Sequence, residues 1–109
     1  MSPIELEQAL ARIVSKLRDE YRPEKVILFG SYSQGTTDSG SDMDILIIKD
    51  TPARFIDRWT EVRRILSDSS RTMGLDTIVL TPTEVAERLA RGDEFLSDIF
   101  RKGRLLYAA

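Results

Sequence analysis

Two periodicities alternate along the chain. Leu6, Leu10, Ile13, Val14, Leu17 and Tyr21 recur at helical spacing, which predicts a helix with one apolar face. Ser2, Pro3 and Glu5 mark its start as cap, first-turn proline and early acid, and Pro23 marks its end. Lys25 to Phe29 is apolar after its first residue, predicting a strand covered on both faces and closed by Gly30. A short helix follows over Ser31 to Thr36 with Gly35 as its stop, then a turn at Asp38 to Ser41 and a second strand at Met43 to Ile48. Thr51-Pro52 reads as the start of another helix, with Phe55, Trp59, Val62, Ile65 and Leu66 on its buried face and Ser67 to Ser70 closing it. Leu75 to Leu80 is the third strand, and Thr81-Pro82-Thr83-Glu84 repeats the cap signal. Val85, Ala86 and Leu89 read as inward-facing, Gly92 interrupts, and Asp93 caps a last helix bearing Phe95, Leu96, Ile99 and Phe100. Leu105 to Tyr107 adds a short edge strand.

Helices alternating with strands predict an α/β fold in which helices flank a small sheet. The 109 residues fit one domain, 1–109, with no internal repeat and no dividing linker. A core of that size is modest, so a partner or a homo-oligomer covering part of the surface is compatible with it.

Composition removes several kinds of chemistry. There is no cysteine, which excludes disulfides, cysteine-based zinc sites and a thiol nucleophile. There is no histidine either, so proton transfer near neutral pH falls to a carboxylate, a lysine or solvent. Sixteen basic residues against eighteen acidic ones, net charge -2, form no basic stripe for stable nucleic acid binding. The N-terminus does not read as a secretory signal, and no run reaches the roughly 18 apolar residues of a membrane span. A cytoplasmic location is the resulting expectation.

Candidate chemistry concentrates between Gly30 and Asp76. Alternation along a strand puts Asp42 and Asp44 on one side with Met43 opposite, near the strand's end. Two like charges so close raise one pKa unless a cation lies between them, and a hard divalent cation such as Mg²⁺ suits carboxylate oxygens. The alternative is that Asp42 ends a serine-rich turn while Asp44 is a solvated edge residue. Gly30-Ser31 after a strong strand lets an anion approach backbone amides and the serine hydroxyl, or is simply a turn. It is not a P-loop, because no lysine occurs between Lys25 and Lys49. Asp76 opens the apolar strand "LDTIVL"; beside the second strand it would join Asp42 and Asp44 around the metal, and otherwise it is an acidic strand cap.

Taken together, Gly30-Ser31, ten intervening residues, and Asp42-Met43-Asp44 before Ile45-Leu46-Ile47 resemble the signature of the DNA polymerase beta-like nucleotidyltransferase superfamily. The match resembles most the minimal nucleotidyltransferases of prokaryotes, over nearly the whole chain. The resemblance implies that superfamily's fold, a small mixed sheet flanked by helices. It implies that Gly30 and Ser31 hold the triphosphate, that Asp42, Asp44 and Asp76 bind Mg²⁺, and that Asp76 activates the acceptor hydroxyl. The implied reaction transfers a nucleoside monophosphate, AMP from ATP, with pyrophosphate leaving. Minimal members commonly pair with a small all-helical HEPN protein, often a toxin, and some silence it by attaching AMP to a tyrosine. The alternative is a non-catalytic antitoxin that neutralises its partner by contact. One departure stands out: Ser33-Gln34-Gly35 replaces the common Ala-Arg-Gly, and no basic residue lies between Gly30 and Asp44. Phosphate charge must then be met by metal, amides, and a residue from elsewhere or from a partner.

The remaining charged and aromatic groups read as follows. In "RWTEVRR", Arg58 to Arg64, Trp59 is read as core and the arginines as a solvated face. Phe95, Phe100 and Tyr107 read as packing residues. Tyr32, directly after Gly30-Ser31, is a candidate to stack on a base, to close over the pocket or to pack on the first helix. Arg101, Lys102 and Arg104 form a basic end suited to a phosphate, to an acidic partner or to the helix dipole.

Overall fold

The computed structural model describes residues 2–34 and 42–109. Its elements are α1 (Pro3–Glu20), β1 (Lys25–Phe29), α2 (Ser31–Gln34), β2 (Met43–Ile48), α3 (Phe55–Ile65), α4 (Ser67–Thr72), β3 (Leu75–Leu80), α5 (Pro82–Ala90), α6 (Glu94–Lys102) and β4 (Arg104–Ala108). The predicted stop at Gly35 and turn at Asp38 to Ser41 lie outside the described residues.

The strands form one sheet in the order β3-β2-β1-β4. β1 runs antiparallel to both β2 and β4, whereas β2 and β3 are parallel. The sheet is therefore mixed, and its parallel pair is joined by α3 and α4, as a parallel crossover requires. Side-chain alternation divides the core in two. Val26, Leu28, Met43, Ile45, Ile47, Leu75 and Val79 face Leu10, Ile13 and Leu17 of α1 and Val62 and Ile65 of α3. On the other side Ile27, Leu46, Ile48 and Leu80 meet Val85 of α5 and Leu96 and Ile99 of α6. Two helix layers thus enclose a sheet apolar on both faces.

Both capping signals operate. Ser2 with Glu5, and Thr81 with Glu84, form reciprocal capping boxes, and Asp93 accepts from the Leu96 amide to start α6. α1 ends where Arg22, in a left-handed conformation (φ 57°), donates its amide to the Leu17 carbonyl.

Several predicted details change. α3 begins at Phe55, not at Thr51-Pro52, because the Thr51 hydroxyl accepts from the Ala53 amide at 3.1 Å and holds those residues in a turn. Ser67 to Ser70 do not close a helix; they begin α4, anchored by the buried Leu66. The buried face of α3 is Arg58, Val62 and Ile65, while Phe55 is exposed and Trp59 is 39% exposed. Both Arg58 and Trp59 lie at helical spacing from Val62, so periodicity does not choose between them. The choice is made by Glu84, whose carboxylate accepts from the Arg58 guanidinium at 2.7 Å. Ala86, Leu89, Phe95 and Phe100 are likewise exposed rather than inward, because each helix shows the sheet only a narrow stripe.

Candidate active site

Asp42, Asp44 and Asp76 share the sheet face covered by α5 and α6, since they alternate with Met43 and Leu75 of the opposite core. Parallel pairing sets Asp44 directly beside Asp76, and β1 pairs Phe29 with Asp44 on the other side. Asp42 and Asp76 are exposed and Asp44 is half-buried, so cover from the helices ends where the carboxylates begin. The parallel register is thus what brings Asp76 to the aspartate pair.

Two glycines make room for these carboxylates. Gly30 has φ +75°, a left-handed conformation that disfavours side chains, and a Cβ there would lie 2.4 Å from Asp44 Oδ2. A Cβ on Gly74 would lie 1.8 Å from Asp42 Oδ1. Gly74 also accepts from the Met43 amide at 2.9 Å, which fastens it beside the start of β2. Sequence reasoning found Gly30 and missed Gly74. Its only signal was a glycine immediately before an apolar strand, which any turn would equally supply.

Electrostatics singles out Asp44 among the three acids. Burial raises the Asp44 carboxyl above its usual range, and the neighbouring charges of Asp76 and then Asp42 push it the same way. A like-charge cluster facing an opening attracts cations, and its donors are all hard oxygens of the kind Mg²⁺ takes. Among the described residues, no three carboxylates stand close enough to form a complete metal cage. Mg²⁺ does not require one, since it is commonly held by one or two carboxylates together with substrate phosphates and water. The residues present therefore fit such an ion.

Around Gly30 the main chain is tightly turned: its carbonyl accepts from both the amide and the hydroxyl of Ser33, at 3.2 and 2.9 Å. Ser31 opens the four-residue α2, and Tyr32 packs, partly buried, against the larger core cluster. That cluster includes Leu10, Ile13 and Leu17 of α1. Beside Gly30 a cavity of about 360 Å³ opens between β1 and α6, with Phe29, Phe95, Asp98 and Lys102 among its walls. Among the described residues no helix is long and apolar enough to cross a membrane.

The chain is similar to several known proteins. Two Methanocaldococcus jannaschii proteins whose names propose protein adenylyltransferase activity are similar to the chain. MJ0604 is 40% identical over 52 residues, covering 46% of this chain and 52% of that protein. MJ1305 is 33% identical over 84 residues, covering 74% and 56%. The chain thus spans about half the length of the curated relatives it matches. A crystal structure of a toxin-antitoxin with AMP-PNP contains a chain 27% identical with a TM-score of 0.64, over 92% of this chain and 73% of that one. A complex of tri-AMPylated Shewanella oneidensis HEPN toxin with an MNT antitoxin shares the fold, at 21% identity and a TM-score of 0.58 over 94% and 72%. The nucleotidyltransferase domain model matches residues 10–106, and the chain belongs to that family.

Proposed function

We propose that this chain transfers AMP from ATP to an acceptor hydroxyl on a small HEPN-type partner protein, in the cytoplasm and with Mg²⁺ held at the Asp42, Asp44 and Asp76 cluster together with the substrate phosphates. The observation that carries this reading is the in-register pair Asp44 and Asp76, with Asp42 two residues before Asp44 on the same face and a glycine opposite two of the three carboxylates. A fold that gathers like charges, and keeps side chains away from them, accepts a cost that only a bound cation relieves. The similarity to proteins associated with adenylylation and with AMP-PNP supports adenine as the base and a toxin as the acceptor.

In this reading Gly30 and Ser31 receive the triphosphate, because a glycine lets phosphate approach the main chain closely and the serine adds a hydroxyl. Tyr32 borders the nucleotide from its packed position. When bound, Mg²⁺ supplies positive charge to the phosphates and favours the ionised form of the attacking hydroxyl. Asp76 orients that hydroxyl and takes its proton. The acceptor oxygen forms a bond to the α-phosphorus as the bond to the β-phosphate breaks, and pyrophosphate leaves with the electron pair.

The test is the intact mass of a HEPN-type partner after incubation with this chain, ATP and Mg²⁺. The expected result is a gain of one or more AMP groups. Asp42→Asn with Asp44→Asn should slow the transfer roughly a thousandfold or more while the fold persists. Undiminished transfer by that variant would remove the metal assignment. A stable, inhibited but unmodified complex would instead support neutralisation by contact.

A further inference from the structure

The cavity beside Gly30 is not accounted for by the three carboxylates. Phe95, Asp98 and Lys102 line it from α6 at intervals of three and four residues, so they form one helical stripe. The stripe runs about 10 Å along the axis and is aromatic at one end, acidic in the middle and basic at the other. Phe95 is 50% exposed, and its ring is fixed by an edge contact with Phe29, centroids 5.7 Å apart and planes at 88°. An exposed ring held in place by a second ring is a preorganised surface for stacking. Asp98 already accepts from Arg101, and a carboxylate retains lone pairs for further donors. Pairing of Arg104 with Leu28 brings the preceding Gly103 alongside the end of β1, and with it Lys102, to the wall that Gly30 shares.

We propose that this cavity is the nucleoside chamber of the site, with the base stacked on Phe95, ribose hydroxyls donating to Asp98, and phosphate oxygens meeting Lys102 on their way to Gly30 and Asp44. This rests on the nucleotide-transfer reading above and names the residues that would recognise the donor. It also answers the lack of any basic residue between Gly30 and Asp44: the cation comes from a distant segment that the fold returns to the same opening.

The test measures binding of ATP and of inorganic tripolyphosphate, each with Mg²⁺ and without acceptor, by calorimetry. Phe95→Ala should weaken ATP about five- to a hundredfold, as loss of a stacking ring does. It should leave tripolyphosphate unchanged, and Phe95→Trp should restore ATP binding. Lys102→Ala should weaken both ligands roughly tenfold, the scale of a charged hydrogen bond. Both residues are exposed, so melting temperatures should hold; if Phe95→Ala does unfold, Phe95→Trp and Lys102→Ala decide. Unchanged ATP affinity in these variants, with transfer by the parent chain intact, would overturn the chamber alone. Unchanged ATP affinity with transfer lost in Phe95→Ala would place the acceptor there and equally overturn it. A parent chain that neither binds ATP nor transfers AMP would overturn both readings.

Discussion

The two ends of the parallel strand pair treat charge in opposite ways. At the start of β2 and β3, Asp42, Asp44 and Asp76 crowd together, and burial, with the charges of Asp76 and Asp42 behind it, raises the Asp44 carboxyl above its usual range. At the far end Arg58 is buried more deeply, at 7% exposure, yet it has a counter-charge. Its guanidinium donates to the Ala53 carbonyl at 2.7 Å, the Val79 carbonyl at 3.4 Å and Glu84 at 2.7 Å. Glu84 also closes the α5 capping box, and its carboxyl is held below the usual range, first by the Arg58 hydrogen bond. A paired charge ties elements together, whereas like charges held side by side destabilise the fold unless a cation lies between them. Charge marks a site only where its partner is absent from the chain.

Breaking the paired end should have the largest effect on stability. Arg58→Ala leaves Glu84 and two carbonyls without their donor and should cost about 2–4 kcal/mol in urea unfolding, with transfer per folded molecule unchanged. At the acidic end the effect should fall on catalysis instead. Gly74→Ala forces the Asp42 carboxylate aside and should slow transfer about a hundredfold with little change in stability, measured by rate and melting temperature together. Asp44→Asn removes the crowded charge, so without metal it should raise the melting temperature by about 1–3 °C.

Acidification sharpens the contrast. The folded Asp44 carboxyl is raised, so its contribution is fully present below the ordinary aspartate range and is lost as pH rises through the raised value. Glu84 is lowered, so its contribution is present above the ordinary glutamate range and is lost as pH falls through the lowered value. In metal-free unfolding series, the gain from Asp44→Asn should therefore shrink in acid. The loss from Glu84→Gln should shrink as well, with the opposite sign. Parallel curves for the parent chain and the Asp44→Asn variant would contradict the burial and crowding assigned to that carboxylate.

Local patterns carried far in this chain. Strand runs, capping boxes and the spacing from Gly30-Ser31 to Asp42-Met43-Asp44 are short-range features, because capping, alternation and helical period act within a few residues. They sufficed for the α/β class and for naming three carboxylates and a glycine. What they could not decide concerns partners remote in sequence. Arg58 rather than Trp59 is buried because Glu84, twenty-six residues on, supplies the counter-charge. Gly74 matters because pairing of β2 with β3 sets it against Asp42. Lys102 joins the Gly30 opening only because β4 returns along β1. The sequence by itself determined the elements and the residue types at the site, since these follow from nearest-neighbour sterics and period. Tertiary structure alone decided which charges meet and which are left facing one another, because strand register and helix docking are set by the whole core.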